Sequence, residues 1–184
     1  MSVLKTSHRL AHAFCVMPDI QFENQKVDEV VILTLRAHPI TLLPGLINST
    51  LFFLLLLFLN FVIGNFLNMV QIIYINIFFI FFSFVYLWIG IVNWYFNIGI
   101  VTNIQVIDVN FNALLYRNVT RTDLTHIEDV TVKSSGFISS IINYGNIFIQ
   151  TAGSEVNTEF LQVPEPEKAI DIIQNILKEH GPTE

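Results

Sequence analysis

Residues 40–63 read ITLLPGLINSTLFFLLLLFLNFVI, and residues 70–94 read VQIIYINIFFIFFSFVYLWIGIVNW. Each stretch is long enough to cross the ~30 Å hydrocarbon core of a bilayer as a helix, which takes about 20 residues. The phenylalanine-rich runs are apolar on every side of such a helix, and a soluble domain of this size could not hide them. Because the connector at residues 64–69 is short, the two helices must run antiparallel. The sequence therefore predicts a two-helix transmembrane hairpin over residues 40–94.

The charged residues of the chain lie around this hairpin and not within it. No Lys, Arg, Asp or Glu occurs between Arg36 and Asp108. Basic residues near the ends of transmembrane helices are retained on the cytoplasmic side. We therefore expect a cell-membrane protein with two spans and both termini in the cytoplasm, with Arg36 as the topology anchor. The first span begins too far along the chain, and without a cleavage-site pattern, to be a signal peptide.

Two polar residues inside the spans form a predicted interhelical pair. If the hairpin folds about residue 68, Asn60 and Asn76 lie at the same depth and can hydrogen-bond across the two helices, an interaction worth up to ~1–2 kcal/mol in model systems. A polar pore in an oligomer is the alternative. Ion pathways are usually marked by intramembrane charges, and neither span contains an ionisable acid or base. The interhelical pair is therefore the favoured interpretation.

From residue 95 the pattern changes to short segments rich in β-branched and aromatic side chains, separated by turn residues. Such spacing is typical of an antiparallel sheet or barrel. The segments are YFNIGIVTN, IQVIDVNF, ALLYRNVTR, IEDVTVK, NIFIQTA and EFLQV. The alternation in the first two predicts one sheet face made of Ile98, Ile100, Thr102, Ile104 and Val106.

The last part of the chain, PEPEKAIDIIQNILKEHGP at residues 164–182, has apolar residues at helical spacing. Pro166 suits the first turn of a helix and Gly181 its end, which predicts a helix over residues 165–179. An apolar stripe on one helix that follows about six strands must be buried against the sheet. We therefore predict an α+β domain over residues 95–180, a bent antiparallel sheet or partial barrel closed by the C-terminal helix.

A set of short motifs extends over residues 28–177. They are Glu29–Leu33 and Arg36–Pro39 before the hairpin, then Val101–Asn103, Leu124 with Ile127 and Asp129–Val130, Phe137–Gly145, Ile147–Gly153 and Val163–Ala169. In this order they resemble the bacterial PH domain family of the YdbS-like kind. The resemblance implies a two-span hairpin followed by a pleckstrin-homology-like domain.

The resemblance also assigns the stretch GFISSIINYGNIFIQTAG. It implies a loop or short helical turn that leads into an inner strand, with Gly136, Gly145 and Gly153 as structural turns where glycine can adopt a positive φ. A PH fold has seven strands, and six segments follow the hairpin. We therefore predict that a pre-membrane strand within residues 28–39, with the sequence VVILTL, joins the sheet.

Residues 1–27 precede this strand. Val3, Leu10, Phe14 and Met17 can share one face, which is compatible with an interfacial helix lying on the membrane. A tail that orders only with a partner fits the same residues equally well, and the pattern does not choose between the two.

The residues give no basis for an enzyme. His8 and His12 have no third ligand to complete a metal site, Cys15 has no catalytic histidine pattern, and no glycine-rich phosphate loop occurs. We expect no catalytic, cofactor-binding or metal-binding residue and a non-enzymatic protein.

The charge balance directs the choice of partner. The net charge is −6, and Ile104 and Gln105 stand in the first strand turn, where the family often has arginines. Phosphate recognition needs clustered Arg and Lys. We therefore expect the domain to lie at the bilayer as a scaffold for a protein partner or for self-association, with no nucleic acid. A lipid-headgroup sensor and an oligomeric membrane assembly or pore component are the alternatives.

Overall fold

The computed structural model describes residues 13–18, 21–22, 25–112, 116–134, 137–152 and 157–180. The chain divides into two compact units. We call residues 39–94 the hairpin, and the chain up to His38 together with the chain from Tyr95 onward the domain.

The hairpin is a pair of long helices joined by a short connector. After a 3₁₀ turn at Pro39–Leu42, α1 covers Leu43–Ile63 and α2 covers Met69–Phe96. Both are long and apolar enough to cross a membrane, and almost none of their most apolar windows is buried, 11% in the first and 0% in the second. The predicted spans cover the same residues except at the helix ends. Side chains exposed in this way are suited to contact with lipid.

The first sheet of the domain has five antiparallel strands in the order β1-β2-β3-β4-β5. They are β1 (Phe14–Val16), β2 (Val31–Leu35), β3 (Ile98–Thr102), β4 (Gln105–Asn112) and β5 (Tyr116–Asp123). Strand β2 precedes the hairpin and β3 follows it, and the two pair with Thr34 opposite Ile100. Both ends of the hairpin therefore enter neighbouring strands of one sheet.

The second sheet has three antiparallel strands in the order β6-β7-β8. They are β6 (Ile127–Lys133), β7 (Tyr144–Thr151) and β8 (Thr158–Pro164). The short helix α3 (Phe137–Ile142) leads into β7, the inner strand, and α4 (Pro166–His180) ends the described chain. Within the described ranges no strand pairing joins the two sheets, so they do not form a closed barrel. The predicted PH-like α+β architecture is confirmed.

One apolar core joins both sheets and α4. The predicted stripe on α4 is buried at Ala169, Ile173 and Ile176, against strand residues such as Leu33 and Ile147 that are fully buried. A smaller cluster, formed by Val31, Ile100 and Ile107, is separate from this core.

Two predictions about local structure are wrong. Val106 packs in the main core while Ile100 belongs to the smaller cluster, because the turn at residues 103–104 reverses the chain between β3 and β4. The interfacial helix is wrong for Phe14–Val16, which pairs with β2 as β1. Residues 1–12 lie outside the described residues.

The close approach of the two sheets depends on Gly99. A Cβ atom at this position would lie within 2.7 Å of Cδ1 of Phe160, whose side chain is only 4% exposed. Strand β3 and strand β8 can pack together here because one of them has no side chain.

We expect Gly99→Ala to destabilise the domain by about 1–3 kcal/mol, because the buried ring of Phe160 must move to admit the new methyl group. Denaturant unfolding of the full chain in detergent measures the change. The matched control is Gly90→Ala in α2, where a Cβ atom would meet nothing within 4 Å. Equal stability of the Gly99 and Gly90 variants would contradict this account of the sheet packing.

Candidate functional site

The predicted interhelical residues are in contact. Asn60 Nδ2 donates to Asn76 Oδ1 at 2.8 Å, and Asn76 Nδ2 lies 3.4 Å from Asn60 Oδ1. Two further polar contacts connect the same helices, Ser49 Oγ with Ser83 Oγ at 2.7 Å and Asn48 Nδ2 with the Tyr86 hydroxyl at 3.2 Å. These polar side chains are therefore satisfied inside the hairpin.

The structure places the predicted turn glycines differently from the expectation. Gly145 lies within β7. The left-handed backbone occurs two residues earlier, at Asn143, with φ of 57°. A Cβ atom on Gly145 would lie 2.5 Å from Ser134 Oγ and 3.1 Å from Pro166 Cγ, so a larger residue there would require the Ser134 side chain to move. Gly136 and Gly153 lie outside the described residues.

Arg36, the predicted topology anchor, is buried in the domain. Its side chain is 8% exposed, and its guanidinium carbon lies 4.8 Å from the ring centroid of Tyr95. This geometry is a cation–π contact. Burial lowers the pKa of Arg36, and the neighbouring Tyr95 acts in the opposite direction.

A buried carboxylate forms the main polar centre of the domain. Glu29 is 3% exposed and lies just before β2. Its Oε1 accepts from Thr102 Oγ1 and from Gln105 Nε2, each at 2.8 Å, and its Oε2 accepts from the backbone N–H of Lys26 at 3.1 Å. Gln25 Nε2 donates to the carbonyl oxygen of Glu29 at 2.6 Å. The carboxylate thus joins the segment before the hairpin to the β3–β4 turn that follows it.

Asn103, in that turn, makes a second connection to the same segment. Its Oδ1 accepts from the backbone N–H of Val30 at 2.8 Å, and its Nδ2 donates to the carbonyl oxygen of Asp28 at 3.0 Å. Its own backbone N–H donates to the Val30 carbonyl at 3.2 Å. We call Glu29, Val30, Thr102, Asn103 and Gln105 the first-turn cluster.

The hydrogen bonds decide the protonation of Glu29. Burial raises the pKa of its carboxyl, but the bonds from Gln105, from the Lys26 backbone and from Thr102 lower it, and the net pKa lies below the ordinary value of 4.5. A buried carboxylate that accepts several hydrogen bonds is stabilised as the anion. Glu29 is therefore negatively charged at neutral pH.

A cleft opens at the other sheet. It measures about 270 Å³ and is lined by Lys133, Ser139, Tyr144, Gly145, Asn146, Leu161 and Gln162. The ring of Tyr144 stacks on the His38 ring with centroids 5.9 Å apart. The backbone N–H of His38 donates to the Gln162 carbonyl oxygen at 2.6 Å. The residues that end the pre-hairpin segment therefore support one wall of this cleft.

Among the residues that the structure describes, no group of three or more His, Cys, Asp or Glu side chains is placed so that it could hold a metal ion.

Residues 40–178 match the family model described as Bacterial PH domain. The chain belongs to this family. The match begins at Ile40, so it includes both apolar helices of this bacterial PH domain protein and leaves out β1 and β2.

No curated protein matches the chain. Among solved structures, the chain is similar to a DUF1696 family protein with a pleckstrin-homology domain from Shewanella loihica PV-4. The identity is 10%, the TM-score is 0.34, and the alignment covers 46% of this chain and 69% of that one.

Sequence reasoning found the motifs of this site but not their connection. Glu29 and Thr102 were recognised as parts of two motifs, Glu29–Leu33 and Val101–Asn103, that lie on either side of the hairpin. The sequence contained a signal for this connection: Glu29 starts one motif, and Thr102 and Asn103 end the other. A carboxylate next to a strand needs hydrogen-bond donors once it is buried, and such side chains can supply them. The role of Gln105 had no signal in the sequence.

We expect Glu29→Gln to destabilise the domain by roughly 1–3 kcal/mol at neutral pH, because the new amide places a donor where the carboxylate accepted hydrogen bonds. The pH dependence follows from the lowered pKa. The stabilisation by the carboxylate is complete above the ordinary pKa of 4.5 and is lost as the pH falls through the lower folded value. The stability gap between wild type and Glu29→Gln should therefore narrow in acid.

Denaturant unfolding of the full chain between neutral pH and about pH 3 tests this expectation. Asp108 titrates with the opposite sign, since burial raises its pKa, but it is present in both proteins and cancels in the comparison. The control is Glu128→Gln at an exposed position. A gap between wild type and Glu29→Gln that stays constant with pH would show that the charge of Glu29 is not the stabilising feature.

Proposed function

We propose that this bacterial PH domain protein is a non-enzymatic integral membrane protein that presents its domain at the cytoplasmic face of the membrane as a scaffold for protein interaction. The observation that carries the proposal is the pairing of β2 with β3, which places both ends of an exposed apolar hairpin in one sheet. A domain built on both ends of a membrane hairpin is tethered twice and stays at the bilayer.

The first-turn cluster favours a protein partner over a lipid headgroup. Thr102 and Gln105 use their side chains on Glu29, and Asn103 uses its side chain on the backbone of the preceding segment. The buried carboxylate of Glu29 repels phosphate, and the turn offers no arginine or lysine. A phosphoinositide or other phosphate headgroup requires charge-assisted donors, so this turn is poorly suited to bind one.

The hairpin itself gives little support to a pore. The side chains of Ser49, Asn60, Asn76 and Ser83 are hydrogen-bonded between α1 and α2. Thr50 donates to the Leu46 carbonyl of its own helix at 2.9 Å. Polar groups that are satisfied in this way need no second copy of the chain and present no row of water-binding groups.

Orientation is the first testable part of the proposal. Cys15 is the only cysteine of the sequence, so a Cys15→Ser chain is a background for single cysteines. We expect a membrane-impermeant maleimide to label Asn65→Cys, in the connector, in intact cells, and to label Thr125→Cys, in the domain, only after the membrane is opened. Both positions are exposed. The reverse labelling pattern would contradict a cytoplasmic domain.

Docking is the second testable part. The full chain, purified from native membranes in mild detergent after crosslinking, is compared with a chain reduced to residues 39–94. We expect specific proteins to accompany the full chain and to be lost from the hairpin alone. If the same proteins accompany both chains, the domain is not the docking surface. Crosslinking to a second copy together with ion flux in vesicles would favour the pore.

A further inference from the structure

The cleft at the second sheet combines one cation with neutral hydrogen-bond donors. Lys133 ends β6 and Asn146 lies opposite it on β7, so both side chains lie on the same face of the sheet. Leu161 and Gln162, from β8, complete the lining on the other side. The face is opposite to the apolar core, which contains Ile147 and Ile149 of the same strand.

Lys133 is positioned by an aromatic ring and not by a carboxylate. Its Nζ lies 4.7 Å from the ring centroid of Phe148. Lys168 forms an ion pair with Glu165 on the turn into α4, and Lys133 takes no part in it. A cation held over a ring keeps its N–H groups available for an anion. In a chain of net charge −6, an ammonium available in this way is notable.

The side-chain amide of Asn146 is oriented by a hydrogen bond to its oxygen. Its Oδ1 accepts from the backbone N–H of Gln162 at 2.8 Å. Gln162 has a left-handed backbone, with φ of 56°, where β8 departs from regular pairing with β7. Because the oxygen of Asn146 is used, the group that remains for a ligand is its NH₂ donor. Lys133 and Asn146 together thus form a donor pair suited to a carboxylate.

The rest of the lining sets the size and the apolar part of the ligand. Leu161 is 54% exposed at the edge of the cleft. The volume of about 270 Å³ is below the ~300–1,000 Å³ typical of clefts that enclose a drug-sized molecule. A cleft of this size accommodates one or two side chains of a bound peptide. Leu161 and Gln162 belong to β8, and the Gln162 carbonyl already accepts from the backbone N–H of His38, so a bound peptide contacts the side chains of the cleft and does not extend the sheet at this point.

We propose that this cleft is the docking site of the domain and that its occupant is an acidic peptide segment of a protein partner. An Asp or Glu carboxylate contacts Lys133 and Asn146, and a neighbouring aliphatic side chain packs on Leu161. The inference rests on the proposed scaffold function and gives it a location. An anionic membrane surface is disfavoured as the occupant, because a single lysine contributes only ~1 kcal/mol to such binding.

The test is a selection of displayed random heptapeptides on the full chain in phosphatidylcholine nanodiscs. We expect peptides with Asp or Glu next to an aliphatic residue to be enriched on the wild type, and Lys133→Gln to reduce that enrichment by about two- to fivefold. Lys133→Arg should retain most of it. The matched control is Lys178→Gln, an exposed lysine on α4, which should behave as the wild type.

Three results would overturn the proposal. The first is an absence of acidic enrichment on the wild type, or equal enrichment on Lys133→Gln. The second is a loss of enrichment on the wild type when phosphatidylglycerol is added to the nanodiscs, which would make the cleft a lipid site. If Lys133→Gln keeps all the native partners that residues 39–94 alone lose, the scaffold function stands and the cleft is not its docking site.

Discussion

The antiparallel pairing of β2 with β3 is the constraint on which the rest of the structure depends. These strands are neighbours in one sheet although the whole hairpin separates them in sequence. Glu29 reinforces the pairing at one end of β3 through Thr102 and Gln105, and Asn103 adds bonds to Asp28 and Val30. A sheet that closes across a long insertion must offset the entropy of that closure. Backbone pairing and buried polar bonds together provide the stabilisation.

The hairpin reduces that entropic cost by its own packing. Contacts at Asn60–Asn76 near the connector and at Ser49–Ser83 farther along hold α1 and α2 antiparallel. The Asn60–Asn76 pair lies about one turn from the end of α1 at Ile63, close to the connector. Antiparallel helices bring the start of α1 and the end of α2 to the same end of the hairpin. The effective loop between β2 and β3 is therefore much shorter than the chain that it contains.

The sequence predicted the elements that depend on long apolar runs or on a regular spacing of apolar residues. The apolar runs defined α1 and α2, the alternation before Pro39 gave β2, and the stripe through Ile173 gave α4. The sequence did not predict how the turn at Asn103 changes which side chains share a sheet face. Because of this turn, Val106 faces the main core and Ile100 does not. The sequence also missed β1, because three residues are too short to show a period. The contact of Gly99 with Phe160 and the cleft beside β8 depend on tertiary packing, which no local pattern encodes.

The polar side chains of this domain differ in how far their hydrogen-bonding groups are used within the fold. At the first turn the side chains of Thr102 and Gln105 serve Glu29, and the cluster holds the two flanks of the hairpin together. On the outer face of the second sheet, Lys133 lies over Phe148, and Asn146 uses only its oxygen within the domain. A polar group that is satisfied internally adds to folding but has nothing left for a partner, whereas an exposed donor adds little to folding and is available for binding. The polar groups of Lys133 and Asn146 that are not used in this way therefore lie on the second sheet, away from Glu29.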